Sequence, residues 1–365
     1  MTEILCIVGA RPNFMKIAPI MAAFSVKGIQ AKLVHTGQHY DPAMSDSFFN
    51  QLGIPRPDVN LEVGSATHAV QTAEIMRAFE PVLDMEKPKA VLVVGDVNST
   101  IACALVAAKK GVKVIHVEAG LRSYDRGMPE EVNRVLTDQI SDLLFTTERA
   151  ALGNLQKEGI AADRVHFVGN VMIDTLRMHL ERAVPVEKTL GAKPARGYAA
   201  VTLHRPSNVD NPDTLRSLLE TLGGVTEHLD VVFPIHPRTR STAEKFGFSS
   251  LLELPGIRLL PPQGYLEMLG ITRDATVVIT DSGGLQEETT ALGVPCITVR
   301  ENTERPITIT DGTNTLTGPD PANIWPVFQE VLSSGGKGGR IPEYWDGQAA
   351  VRIAEFLRGW LDGLD

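Results

Sequence analysis

The chain is poor in cysteine, with only Cys6, Cys103 and Cys296 among 365 residues. The set is odd in number, widely spaced, and each member lies in or beside an apolar stretch. That argues against a disulfide framework and for buried thiols in a reducing compartment. Positive charge is also in deficit. Lys and Arg total 35 against 44 Asp and Glu, a formal charge of −9 with no long basic stripe. DNA is therefore not expected as a partner, although a local basic pocket for one nucleotide remains open. No stretch reaches the ~20 apolar residues of a membrane span. The opening "MTEILCIVGARPNFMK" places an acid before its apolar run and bases after it, the reverse of a signal peptide, so a cytoplasmic location is expected. HExxH, CxxC and clustered Asp/Glu patterns are missing, as are GxxxxGK[ST] and GxSxG, which leaves a metal, an ATP-type P-loop and an esterase serine without support. The G-x-G of "SSGGKGGR" follows no strand and is a weak dinucleotide signal.

What the chain does have is a soluble globular composition, 43% apolar and 22% charged. Its length favours two domains. Short apolar runs alternate with segments of helix length. The first half carries "ILCIVGA", "AKLVHTG", "AVLVVGD", "VKVIHVEAG", "DLLFTT" and "VHFVGN"; the second carries "YAAVTLH", "VVFPIH", "IRLLPP", "ATVVITDSGG" and "PCITVR". Consecutive apolar positions suit strands covered on both faces, and repeated βα units imply parallel sheets. The expected fold is α/β, with two Rossmann-like doubly wound domains facing a central cleft. "AVPVEKTLGAKPARG" (183–197) reads as the interdomain region, giving a first domain over 1–182 and a second over 183–345. A final helix over 346–365 places Ile353, Phe356, Leu357, Trp360, Leu361 and Leu364 on one face, a stripe expected to dock on the first domain.

In open parallel sheets ligands bind beyond the carboxyl ends of the strands. Those ends are informative here. "CIVG" is followed by Arg11 and Lys16, "VLVVG" by Asp96 and "VIHV" by Glu118. In the second half "AAVTL" leads to His204 and Arg205, "VVFPI" to His236, "VVITD" to Ser282-Gly283-Gly284, and "CITVR" to Glu304 and Arg305. Asp96, Ser99, Asp281 and Ser282 are each also plausible helix caps, and a lone histidine is usually a satisfied core residue. Taken together, the strand ends point to a site between the domains. "TDSGG" at a helix start suits a pyrophosphate, and Glu287 and Glu288 one turn on suit sugar hydroxyls. Arg11 at the first helix start opposes the dipole unless an anion compensates it. In "VIHVEAGLRSYDRGMPEEVNR" Glu118, Glu130 and Glu131 follow a buried strand closely, and buried charge is costly without a partner.

With those residues in view, the sequence resembles the non-hydrolysing UDP-N-acetylglucosamine 2-epimerases. The likeness runs from "VGARPNFMKIAP" through "GDVNST", "HVEAGLR", "MPEEVNR", "LHRPSN", "PIHPRT", "PQGYL" and "TDSGGLQEE" to "ENTERP". It implies a glycosyltransferase-B-type fold and reversible inversion at C2 of UDP-N-acetylglucosamine, with no nicotinamide or other cofactor and a homodimer. It also implies elimination of UDP to a 2-acetamidoglucal followed by re-addition. By the resemblance Asp96, Glu118, Glu130 and His204 stand at catalytic positions. Arg11, Lys16, His236, Gln263, Ser282, Gly283, Gly284, Glu288 and Arg305 stand at positions that hold the sugar nucleotide. Arg122 and Arg134 are expected to pair with the acids, and Glu131 to be a structural partner.

Three departures from many bacterial members stand out. His204-Arg205-Pro206-Ser207 replaces His-Arg-Arg-Glu, Tyr40-Asp41 follows Gln38-His39 in place of a basic-polar pair, and Met268 stands where an aromatic is common. The first two fall in the region such members associate with an activating second substrate molecule. They resemble a subgroup that includes epimerases of diacetamido uronates, so a related UDP-2-acetamido sugar is the alternative substrate. A retaining UDP-sugar glycosyltransferase of the same architecture is a further alternative.

Overall fold

The protein is described from a computed structural model over residues 2–37, 49, 52–54 and 56–364. The Gln38-His39-Tyr40-Asp41 departure lies outside the described residues, as does the side chain of Arg11. The chain divides into two compact units, residues 1–178 with 343–365, and residues 179–342.

The first unit is built on a seven-stranded parallel sheet. Its strands are β1 (Ile4–Val8), β2 (Ala31–His35), β3 (Val59–Asn60), β4 (Ala90–Val94), β5 (Lys113–Ala119), β6 (Leu143–Thr146) and β7 (Val165–Phe167), in the order β3-β2-β1-β4-β5-β6-β7. Every residue of β1 and β4 is buried, as the unbroken apolar runs require when helices cover both faces. The order reverses direction between β1 and β4. A gap therefore opens beyond their carboxyl ends, because the crossover helices leave toward opposite faces. The helices that matter for this end of the sheet are α1 (Arg11–Lys27), α2 (Asn98–Lys109) and α3 (Pro129–Ile140).

The second unit holds β8 (Tyr198–Thr202), β9 (Asp230–Pro234), β10 (Ile257–Leu260), β11 (Val277–Thr280), β12 (Cys296–Thr298) and β13 (Asn314–Leu316). They form a six-stranded parallel sheet in the order β10-β9-β8-β11-β12-β13. Alternate residues serve opposite faces. Ala199, Val201, Val231, Phe233, Val277 and Ile279 join one buried cluster with Leu218, Leu222 and Phe328. Tyr198, Ala200, Val232 and Val278 join the other with Val186 and Ile271. Val186 belongs to a short helix (Val186–Leu190) inside the stretch that reads as a linker, and it is fully buried. Here the direction reverses between β8 and β11. Helices α4 (Pro237–Lys245) and α5 (Gly283–Leu292) begin at the same edge of the sheet as the residues that end β9 and β11.

The C-terminal helix α6 (Ala349–Asp362) lies in the first unit with Ile353, Leu357 and Leu361 fully buried. Arg358 pairs with Glu3 at 3.0 Å, and Phe356 meets the rings of Phe145 and His166 at 5.7 and 3.9 Å. Leu364 is exposed beyond the helix end, so the apolar stripe stops one turn earlier than its spacing suggests. All three cysteines are buried and free.

Candidate active site

Beyond β1, β4 and β5 the first unit collects Lys16, Asp96 and Glu118. Strand β5 carries an irregularity between Val117 and Ala119, and the bulged residue is Glu118, with φ of +72°. A non-glycine residue in that region is strained and is retained where the surroundings enforce it. The bulge takes the Glu118 carboxylate out of the strand's alternation. There it meets the Lys16 ammonium from α1, both side chains being buried. Gly95, with φ of +68°, lies close enough that an added Cβ would stand 3.0 Å from Lys16 Nζ. A larger residue there would displace the ammonium.

Asp96 stands one residue before the N-cap position of helix α2. Helix α2 starts at Asn98 with Val97 as its N-cap and no side-chain capping bond, while Ser99 Oγ lies 2.7 Å from Thr36 Oγ1. Asp96 is tied from α3. Arg134 donates to its Oδ2 at 2.6 Å, and Asn133 Nδ2 donates to its backbone carbonyl at 2.9 Å. The same guanidinium contacts Glu131, which also accepts from Ser123 N at 3.0 Å and Tyr124 N at 2.9 Å. Glu131 therefore closes the loop before α3, while Glu130 is half-buried at the second position of α3. Arg122 departs from the expected pairing. It binds Asp138 at 2.7 Å and Glu158 at 2.6 Å, so its guanidinium is already engaged by two other carboxylates.

In the second unit Asp281 is the organising group, and the sequence reading as a cap for α5 is not what the structure shows. The carboxylate is fully buried at the end of β11. It accepts from His204 N at 2.9 Å, Arg205 N at 2.8 Å and Asn208 Nδ2 at 3.2 Å, and pairs with His204 Nδ1 at 2.8 Å. Burial opposes its ionisation, but the His204 imidazole and the two backbone N–H groups outweigh burial and hold it below the ordinary carboxylate range. Asp281 thus fixes both the loop after β8 and the ring of His204. The His236 ring stands 5.8 Å from that of His204, and its Nδ1 accepts from Arg238 N at 3.1 Å at the start of α4. Burial, with His204 and Arg238 nearby, pushes the His236 imidazolium toward the neutral form.

Helix α5 begins at Gly283 after Ser282, which makes no side-chain capping bond. An added Cβ on Gly283 would stand 3.0 Å from both Arg305 and Glu304, so only glycine leaves this helix start open. Arg305 pairs with Glu304 at 2.5 Å and Glu287 at 3.0 Å, and Arg300 pairs with Glu304 at 2.9 Å. Gln263 Nε2 donates to Pro261 O at 2.7 Å, at the outer end of the sheet. Glu288 is buried; burial pushes its carboxyl up to about 7, Tyr265 opposes that by hydrogen bonding, and the charge of Glu287 reinforces it. A carboxyl raised in the folded state binds more protons than the unfolded chain between pH about 4 and 7, so it costs stability as pH rises through that window. Glu288→Gln is accordingly expected to gain thermal stability relative to wild type as pH goes from 5 to 8. Parallel melting curves across that range check it, and parallel pH profiles for the two proteins would contradict it.

Two doubly wound parallel sheets, each with its polar residues gathered at the point where strand order reverses, define the class: a glycosyltransferase-B-type α/β fold. Residues 23–358 match the family model for UDP-N-acetylglucosamine 2-epimerase. A UDP-N-acetylglucosamine 2-epimerase of Methanococcus maripaludis is 43% identical over 341 residues, covering 92% of this chain and 93% of that protein. A UDP-2,3-diacetamido-2,3-dideoxy-D-glucuronate 2-epimerase of Pseudomonas aeruginosa is 42% identical over 363 residues, covering 97% and 99%. The crystal structure of the Methanocaldococcus jannaschii UDP-GlcNAc 2-epimerase in complex with UDP-GlcNAc and UDP is similar with a TM-score of 0.90 and 39% identity, over 98% of this chain and 99% of that one. The chain belongs to the UDP-N-acetylglucosamine 2-epimerase family.

Proposed function

We propose that the protein interconverts UDP-N-acetylglucosamine and UDP-N-acetylmannosamine by inversion at C2. The observation that carries this reading is Glu118, an acid held in strained backbone at a strand end against Lys16, in a chain of this family. A hexose C2–H is far too weak an acid for an ordinary carboxylate to remove unaided. Departure of the diphosphate eases this, since positive charge developing at C1 acidifies the neighbouring C–H. As the C1–O bond breaks, its electron pair leaves with UDP. The C2 proton passes to a carboxylate, and the C–H electrons form the double bond of a 2-acetamidoglucal. A second acid then protonates C2 from the opposite face, and UDP adds back to C1.

Inversion needs proton traffic on both faces. Glu118 and Glu130 are assigned to it, with Asp96, oriented by Arg134, as relay. Arg11, Lys16, His204, Arg305 and the start of α5 at Ser282, Gly283 and Gly284 are assigned to the diphosphate, where fixed donors stabilise developing charge. Glu288 is assigned to the ribose, and His236 and Gln263 to the rest of the nucleotide. No cofactor is required. A homodimer and a cytoplasmic location belong to the same proposal.

Proton NMR of UDP-N-acetylglucosamine with the enzyme in heavy water tests it. Deuterium at C2, with UDP retained on a manno product, is expected. Release of free N-acetylmannosamine with UDP would mean a hydrolysing enzyme, and no exchange without an acceptor sugar would favour a glycosyltransferase. A diacetamido uronate is the second substrate reading. It is favoured by the 42% identity to the Pseudomonas aeruginosa enzyme and by Pro206-Ser207 after His204-Arg205. The same spectra with UDP-diacetamido sugars decide between the two.

A further inference from the structure

Behind the strand ends of the first unit lies a buried pair that the proposed reaction does not use. His116 on β5 and Asp138 on α3 are both wholly inaccessible, with His116 Nδ1 2.6 Å from Asp138 Oδ1. The other ring nitrogen, Nε2, lies 2.9 Å from the carbonyl oxygen of Gly95. A carbonyl only accepts, so Nε2 carries a hydrogen and donates to it. The second carboxylate oxygen of Asp138 accepts from Gly120 N at 3.1 Å and from Arg122 at 2.7 Å. Burial works against ionisation of Asp138, but His116 and Arg122 outweigh it and hold the carboxyl below its ordinary range.

The placement of these bonds along the chain is what matters. His116 and Gly120 flank Glu118 by two residues on either side, and both are held by one carboxylate. The bulge that carries Glu118 at φ of +72° is therefore pinned at each end to the same point on α3. Strain of this kind relaxes unless its flanks are fixed. Through its far nitrogen His116 also holds the carbonyl of Gly95, the residue directly before Asp96. Gly95 N in turn donates to Val117 O at 3.1 Å, which closes the ring between β4 and β5.

We propose that His116 and Asp138 form a positioning pair that sets the backbone under both Glu118 and Asp96, so that two acids from different strands are held in register by one buried contact. Neither residue touches substrate. The proposal rests on the epimerase reading for its kinetic consequence, though not for the clamp itself. A displacement of about 1 Å at a reacting group is enough to cost on the order of 100-fold in rate.

The test uses Asp138→Asn, which places an amide N–H among donors, and His116→Gln, which leaves Asp138 with Arg122 and Gly120. Three quantities are read: C2 deuterium incorporation, the dissociation constant of UDP by calorimetry, and site-resolved amide hydrogen exchange. A drop in kcat of about 100-fold is expected in each variant, with UDP affinity within about twofold of wild type. Amide exchange is expected to quicken at 95–96 and 117–120 and to stay unchanged elsewhere in the unit. A merely structural pair would instead lower folded fraction and rate in proportion and loosen amides throughout. That outcome, or a folded variant with wild-type kcat, overturns the proposal. Should Asp138→Asn fail to fold, His116→Gln decides by the same readings. If wild type itself exchanges no C2 proton the epimerase reading fails, while local amide exchange still judges the clamp.

Discussion

Glu118→Gln is expected to slow C2 proton exchange by about 10²–10⁴-fold, the range a positioned acid or base contributes, while UDP binds within about twofold of its wild-type affinity. The substitution is isosteric. A glutamine oxygen still accepts from the buried Lys16 ammonium, so no charge is stranded without a hydrogen bond. What disappears is the group that takes or returns a proton. The diphosphate is assigned chiefly to second-unit residues that the substitution does not touch, which is why binding and turnover should separate. Deuterium incorporation and calorimetry on the same preparation check this, and undiminished exchange would remove Glu118 from the mechanism.

The second large effect is expected at Asp281. Its carboxylate satisfies two backbone N–H groups, the Asn208 amide and the His204 ring in a fully buried position. Asp281→Ala leaves those donors without an acceptor, at a cost of about 3–5 kcal/mol. For a unit of this size the thermal transition should fall on the order of 10 °C. UDP affinity should fall too, because the loop after β8 and the His204 ring lose their anchor. The pH dependence has a definite sign. A carboxylate held below its ordinary range stabilises the fold fully above the unfolded value of about 4, and loses that contribution as pH falls through the folded value. The gap between wild type and Asp281→Ala should therefore be constant at neutral pH and narrow under acid. A gap independent of pH down to the acid transition would show that the carboxylate's charge is not what holds the loop.

Much of the fold is legible in the apolar runs. Eleven short, largely apolar runs correspond to strands, because a strand covered on both faces is apolar at nearly every position. The two strands they omit carry no such mark. Val59–Asn60 is two residues long, and Asn314–Leu316 is polar at two of its three positions, with Asn314 buried in bonds to Gln286 and Thr308. The placement of the candidate residues was legible where a strand end delivers them, since topology alone puts Asp96, Glu118, His204 and Ser282 at the carboxyl edges of the two sheets. Pairings are another matter. Arg122 and Glu118 are close in sequence, yet the guanidinium goes to Asp138 and Glu158, 16 and 36 residues on. Asp281 precedes a helix and so resembles a cap, but its partners lie 73–77 residues earlier in the chain. No local pattern encodes contacts of that span.

The central claim is that the C1–O bond breaks and re-forms each time C2 inverts. UDP-N-acetylglucosamine carrying oxygen-18 at the bridge between C1 and the β-phosphorus tests it most directly. Released UDP has equivalent terminal oxygens on that phosphorus, so the account predicts that the label migrates from the bridge to non-bridging positions as epimerisation proceeds, visible in the phosphorus-31 spectrum. Full inversion at C2 with the label still wholly in the bridge would contradict it.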